Sequence, residues 1–311
     1  MARFVARRLV QSALLLLVVL TGVFFLVHLT PGGPEAALVQ DPRVGPEEIA
    51  RLRQRFGLDQ PLLVQYLRWL SSAAQLDFGR SYFYSRPTVE VIAERLGPTL
   101  QLGLMSYLVA LVGVPLGALA GLHRGQTGDV VVRLLATVGT AVPTWWLGLT
   151  SIVVLNSLFG WFPNGQGQGS LLAWFGSIIV PAGVLGLTGL VTFARFVRAG
   201  VLDALGEDYV RTARAKGLPA WTVNTRHVLR NALLPVITLL GGLLPGLLSG
   251  ALITEYIFAW PGVGRLFFEA ATSRDYPLVL GILTMTTVAT ILGTLLADVS
   301  YGLVDPRVRY V

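Results

Sequence analysis

The sequence predicts an all-α polytopic membrane protein with six transmembrane helices, and three observations lead there. The 311-residue chain is 53% hydrophobic and 13% charged, with mean hydropathy +0.65; soluble domains average about 45–50% apolar and about 25% charged. Six stretches, at residues 9–29, 99–122, 134–159, 171–194, 232–254 and 278–297, contain no Asp, Glu, Lys or Arg. Each exceeds the roughly 17 residues needed to cross the hydrocarbon core as a helix, in which the backbone satisfies its own hydrogen bonds. Third, Lys and Arg are distributed unevenly among the segments between these stretches.

The first stretch follows Arg3, Arg7 and Arg8, as a signal peptide would. It is longer than a signal core and ends in His28-Leu29-Thr30-Pro31 without a small-x-small site, so residues 1–30 are expected to be a retained transmembrane helix. Residues 31–98 form an extracytoplasmic segment. Within it, 45–57 reads as a short helix with Pro46 first, Glu47 and Glu48 in the first turn, Gly57 after the end, and Ile49, Leu52 and Phe56 on one face. A second amphipathic helix is expected from Leu63, Tyr66, Leu67 and Leu70. The chain has no cysteine, so helix packing rather than disulfides must hold this segment. Residues 99–304 make the membrane core, with a polar loop at 195–231, and 305–311 a short tail.

Orientation follows from the positive charges. With the N-terminus inside, the inner segments carry fourteen Lys and Arg, seven of them at 195–230, while the two short outer loops carry two. The other eight lie in 30–98, a segment too long to count. Both termini are therefore expected in the cytoplasm. The net charge of +7 is explained by this inner-face bias and by attraction to anionic lipid. Residues 30–98 balance eight Arg with eight acids, and no basic tract is interleaved with aromatics, which argues against nucleic acid as a partner.

Glycine recurs at every fourth position in two of the stretches. Gly113, Gly117 and Gly121 flank Pro115, and Gly242, Gly246 and Gly250 flank Pro245. Small residues at this spacing let helices approach closely in lipid, where leucine packing gives little preference over acyl chains.

No catalytic or cofactor-binding pattern emerges. The only lysine, Lys216, precedes Gly217 rather than a hydroxyl residue, so the chain lacks the phosphate-binding Gly-Lys-Ser/Thr. His28, His123 and His227 are scattered, and no His-Glu-x-x-His occurs. Ser106, Ser151 and Ser177, inside apolar stretches, are expected to bond back to their own helices. Asp, Glu, Lys and Arg are absent from the stretches, the nearest acids being Glu255 and Asp298 at helix ends. Ion-coupled carriers place such groups inside the membrane, so the pattern favours a pump energised by another protein, or a passive channel, over proton coupling.

The most informative segment is EDYVRTARAKGLPAWTVNTRHVLRNALLP, residues 207–235. It reads as two short helices broken at Gly217-Leu218-Pro219, with Gly217 in a left-handed cap and Pro219 opening the second helix. This loop resembles the Glu-Ala-Ala coupling loop of bacterial ABC importer permeases. Arg211-Thr212-Ala213 occupies the first three positions, and only Ala213 and Gly217 match the general form. The peptide-importer branch is matched more fully, by Tyr209, Ala213, Ala215, Lys216, Gly217 and Leu218, then by Arg226, His227, Leu229, Arg230, Asn231, Ala232, Leu233 and Pro235. Further similarities are Leu58-Asp59-Gln60-Pro61, Asp77-Phe78-Gly79-Arg80-Ser81, Glu255-x-x-Phe258-x-x-Pro261-Gly262-x-Gly264, Asp275-Tyr276-Pro277 and Asp305-Pro306-Arg307.

The resemblance implies the type I ABC importer transmembrane fold in a bacterial inner membrane. It also implies a second homologous permease subunit, two cytoplasmic ATPase subunits carrying ATP and Mg, and an extracytoplasmic binding protein that delivers a di- or oligopeptide. Nickel chelates, glutathione or oligosaccharides are the alternative solutes. Glu207, Tyr209, Ala213, Ala215, Lys216, Gly217 and Leu218 are then the expected ATPase-coupling residues, with Ala213 and Gly217 meeting an ATPase groove. Glu255, Phe258, Pro261 and Gly262 are expected in an outer loop at the mouth of the pathway.

Overall fold

The structure, a computed structural model, describes residues 2–29, 59–163, 171–233, 236 and 251–304. The helix expected at 45–57, the residues Leu58 and Pro235, the second glycine series Gly242, Gly246 and Gly250, and the tail 305–311 lie outside them. The described elements are α1 (Ala2–His28), α2 (Leu62–Ala74), α3 (Thr88–Leu111), α4 (Gly113–Leu122), α5 (Thr127–Ala141), α6 (Thr144–Phe159), α7 (Leu171–Gly206) and α8 (Asp208–Ala215). A helical run, Ala220–Thr222, Val223–Leu229 and Arg230–Ala232, comes next, and then α9 (Leu252–Ile257), α10 (Val263–Thr272) and α11 (Tyr276–Val304).

Four spans among the described residues are long and apolar enough to cross a membrane: Ala6–His28, Thr88–Leu122, Ala173–Gly206 and Tyr276–Leu296. They overlap the first, second, fourth and sixth of the expected stretches. The third differs from expectation. Residues 134–159 do not form one helix, because α5 and α6 are bent by 103° at the break between them. The cause is local: Pro143 disfavours the helical region for the residue before it, and Val142 is accordingly extended at φ −87°, ψ 122°. Most of the fifth stretch lies outside the described residues.

The chain forms two compact units. One comprises Met1–Thr99, Leu248–Leu252 and Pro261–Val311; the other comprises Leu100–Leu247 and Ile253–Trp260. In the first unit, Phe24 and Val27 of α1 share a core with Ile92 of α3, Leu266 of α10, and Leu278 and Ile282 of α11. Tyr66 and Trp69 of α2 each bring a ring centroid within 5.3 Å of Phe24, and the Tyr66 hydroxyl is 2.7 Å from Thr21 Oγ1. The buried face of α2 is thus set by Leu62, Tyr66 and Trp69. Leu63 and Leu67, expected on that face, are exposed; the aromatic rings offer more area to Phe24 and turn the helix accordingly.

In the second unit α4 lies along α7. The core there is Val197, Val201 and Ala204 of α7 with Val210 and Ala213 of α8, and Val223, Val228 and Ala232 after them. Small and β-branched residues dominate it, which permits close approach of backbones.

Candidate functional site

The 207–232 segment folds back on the end of α7. Glu207 is extended and exposed, Asp208 stands in the first turn of α8 and Arg214 in the last, the order that suits the helix dipole. The helix ends where Gly217 takes φ +76°. There the amide of Gly217 donates to Arg214 O at 2.9 Å and that of Leu218 to Ala213 O at 3.3 Å, satisfying terminal carbonyls. A Cβ on Gly217 would meet nothing within 4 Å, so its requirement is conformational rather than steric. Pro219, at φ −64°, ψ 145°, opens the following helical run, whose middle, Val223–Leu229, is a π-helix.

Packing separates the expected coupling residues into two groups. Ala213 is 5% exposed and belongs to the apolar core shared with α7. Contrary to expectation it faces its own chain: Val210 and Ala213 are three apart on α8, so both lie on the buried side. The outward side carries Tyr209 (37% exposed), Leu218 (39%) and Trp221 (79%), with Glu207, Ala215, Lys216 and Gly217 also exposed. Sequence reasoning missed Trp221, although a tryptophan two residues after Pro219 in a polar loop is itself a signal. The result is a basic loop that exposes three large apolar side chains.

Contacts between α4 and α7 place the first glycine series. A Cβ at Gly113 would come 2.0 Å from Leu190 O, at Gly117 2.3 Å from Ala194 O, and at Gly121 2.7 Å from Val201 Cβ. Glycines of α7 reciprocate against α3, since a Cβ at Gly186 would lie 2.5 Å from Ser106 O. The serines Ser106, Ser151 and Ser177 donate to Leu102 O, Gly148 O and Trp174 O of their own helices. An ion pair with no signature in the linear chain stands nearby. Asp129 of α5 is 1% exposed and accepts from Arg198 Nε and Nη2 of α7 and from the Gly125 amide at 3.0 Å.

The expected pathway-mouth residues are mostly enclosed. Glu255 and Phe258 are 0% and 1% exposed, and Phe258 packs on Gly148 of α6. Trp260, beside Leu102, Ile178 and Ala182, donates its amide to Glu255 O at 2.8 Å. These side chains hold the turn within its own unit rather than opening onto a surface, because the rings gain more by burial. Pro261 is half-buried and Gly262 buried; Gly262 caps α10, where the Val263 amide donates to Thr99 Oγ1 at 2.8 Å.

Two short motifs far apart in sequence meet at Asp275, which is 1% exposed. Its Oδ2 accepts from Ser81 Oγ and from the Phe83 amide at 3.1 Å, while Oδ1 accepts from the Leu278 amide at 3.3 Å. Burial, with the Asp275 charge nearby, pushes the Tyr82 phenol well above its ordinary pKa. The turn held there presents Phe83, 72% exposed.

Comparison with known proteins accounts for nearly the whole chain. Residues 1–103 match the N-terminal part of binding-protein-dependent transport system membrane components, and residues 113–310 match the inner membrane component of binding-protein-dependent transport systems. The oligopeptide transport system permease protein AppB of Bacillus subtilis is 38% identical over 318 residues, covering 100% of both chains. The glutathione transport system permease protein GsiC of Salmonella paratyphi A is 38% identical over 311 residues, again covering 100% of both. A polytopic helical core, an inner-membrane family description and end-to-end similarity to transport permeases agree: the chain belongs to the binding-protein-dependent transport system inner membrane components, as a permease of the peptide-type ABC importers with the type I fold.

Proposed function

We propose that this permease forms, with a second homologous permease subunit, the pathway by which di- or oligopeptides enter the cytoplasm. A binding protein outside delivers the peptide, and two cytoplasmic ATPase subunits, which carry ATP and Mg, power the cycle. The observation that carries the substrate class is the full-length similarity to an oligopeptide permease. A second reading, glutathione as the solute, is favoured by the equal identity to GsiC. The binding protein sets the choice between them, so a binding assay on that protein with a dipeptide, a longer peptide and glutathione is the test. Exclusive binding of a sugar or a metal chelate would overturn the reading.

Both termini and the 207–232 loop lie in the cytoplasm in this proposal, in keeping with the fourteen-to-two excess of positive charge. Single-cysteine labelling should find Asp59 accessible from outside and Gly128 and Gly217 only from inside. There the loop tip enters an ATPase groove through Tyr209, Leu218 and Trp221, the apolar side chains it exposes. Closure of the ATPases then moves α8 and, through the Val210–Val223–Val228 core, the end of α7.

The experiment is Trp221→Ala, scored by ATPase retention and peptide uptake. Buried tryptophans at interface centres are worth about 2 kcal/mol or more, so ATPase affinity should fall by about thirtyfold with the permease still inserted. Wild-type retention and uptake would exclude Trp221 as an anchor.

A further inference from the structure

A second binding feature lies beside the Asp129–Arg198 pair and goes beyond the transport reading. Between α5 and α7 runs an open groove of about 650 Å³, lined among others by Val130, Arg133, Leu134, Thr137, Arg195 and Arg198. Its polar groups are not equivalent. Arg198 is committed to Asp129 through two guanidinium contacts. Arg133 Nε is 3.8 Å from the same carboxylate, and Arg195 stands 5.8 Å from the Phe196 ring. Two arginines therefore flank one acid, and a third, Arg195, lines the same groove. The Thr137 hydroxyl is turned onto its own backbone, 3.0 Å from Arg133 O. Polar recognition in the groove thus falls to the guanidinium groups of Arg133 and Arg195, both exposed.

Beside those cations the wall is aliphatic. Of its lining, Val130 and Leu134 are 38% and 60% exposed. A small soluble anion has no use for such a flank, and a neutral acyl chain has none for the cations. A ligand carrying both an anionic head and a hydrocarbon tail fits both, and an inner membrane supplies it. Basic pockets between membrane helices bind anionic headgroups on this principle, with each Lys or Arg worth about 1 kcal/mol near the surface. We infer that the groove binds an anionic phospholipid, its phosphate between Arg133 and Arg195 and one acyl chain along Val130 and Leu134.

The test uses the assembled transporter in nanodiscs of equal phosphatidylcholine and phosphatidylglycerol, extracted in mild detergent. Lipid that stays bound is quantified by mass spectrometry. The wild type should retain phosphatidylglycerol over phosphatidylcholine, and the pair Arg133→Gln with Arg195→Gln should lower that enrichment by roughly tenfold or more. The pair Arg133→Lys with Arg195→Lys should keep it, which separates loss of charge from loss of fold. The pair Arg226→Gln with Arg230→Gln, elsewhere on the same chain, should also keep it. Equal retention of the two lipids by the wild type, undiminished enrichment in the glutamine pair, or displacement by inorganic phosphate or by a peptide would each overturn the proposal.

Discussion

Asp275 concentrates three hydrogen bonds on one buried side chain of the first unit. It accepts from a hydroxyl and two amides, joining the turn at Ser81 to the start of α11. Asparagine there would lose the charge and set an NH₂ against at least one donor whichever way its amide turned, and each hydrogen bond to a charged group contributes about 1.5–3 kcal/mol. Asp275→Asn should therefore speed hydrogen exchange at the amides of Phe83 and Tyr84 by roughly tenfold or more; unchanged protection there would refute the role. Ser81 and Asp275 were both visible in the sequence as parts of short motifs, yet nothing in a linear text pairs residues so far apart. Ala213 teaches the converse. Its motif position marked it for a partner, whereas burial against Val197 and Val201 assigns it to the fold. Ala213→Asp should accordingly place a carboxylate in an apolar core and destabilise the permease itself by about 3–5 kcal/mol, read as loss of monodisperse protein rather than as selective loss of ATPase.

At the scale of elements, periodicity and charge were good guides to where helices lie and poor guides to where they break. The charge-free run 134–159 gave no sign that Pro143 would turn α5 from α6 by 103°, because hydropathy is blind to φ and ψ. Fourfold glycine spacing, by contrast, carries geometric content. Gly117 approaches the Ala194 carbonyl so closely that a methyl group would come within 2.3 Å, and forced overpacking costs about 1–3 kcal/mol. Gly117→Ala should lower the melting temperature of the purified permease, while Gly22→Ala, with nothing within 4 Å of its Cβ position, should leave it unchanged or raise it. Since both α4 and α7 belong to this chain, the defect should appear without any partner subunit. Equal melting of the two variants would remove the close-packing argument. The wide turn at Val223–Leu229 could not be read from sequence at all. Such turns recur inside helices at functional positions, and here one lies directly after the exposed Trp221.

For the whole molecule, composition sufficed to establish the membrane class, and the motifs sufficed for the family. The division into units was less legible, because it is discontinuous: α1, α2 and the first turns of α3 are completed by α10 and α11. Ending the chain after Trp260 should therefore leave residues 59–87 readily cut by protease while the buried Val197–Val201–Val228 core of the second unit keeps its protection. Protection of both in the shortened chain would count against the shared core. The same discontinuity sets a timetable for synthesis. A chain leaves the ribosome from its N-terminus at about 5–20 residues per second. The surfaces of Phe24 and Ile92 are thus made first, and must wait roughly ten to thirty seconds, at that rate, for the arrival of Leu266, Leu278 and Ile282. During that interval the middle of the chain can assemble while the beginning stands incomplete. The newborn permease accordingly needs lipid, an insertion factor or a chaperone at its opening segment, and is finished only when its last helix returns to its first.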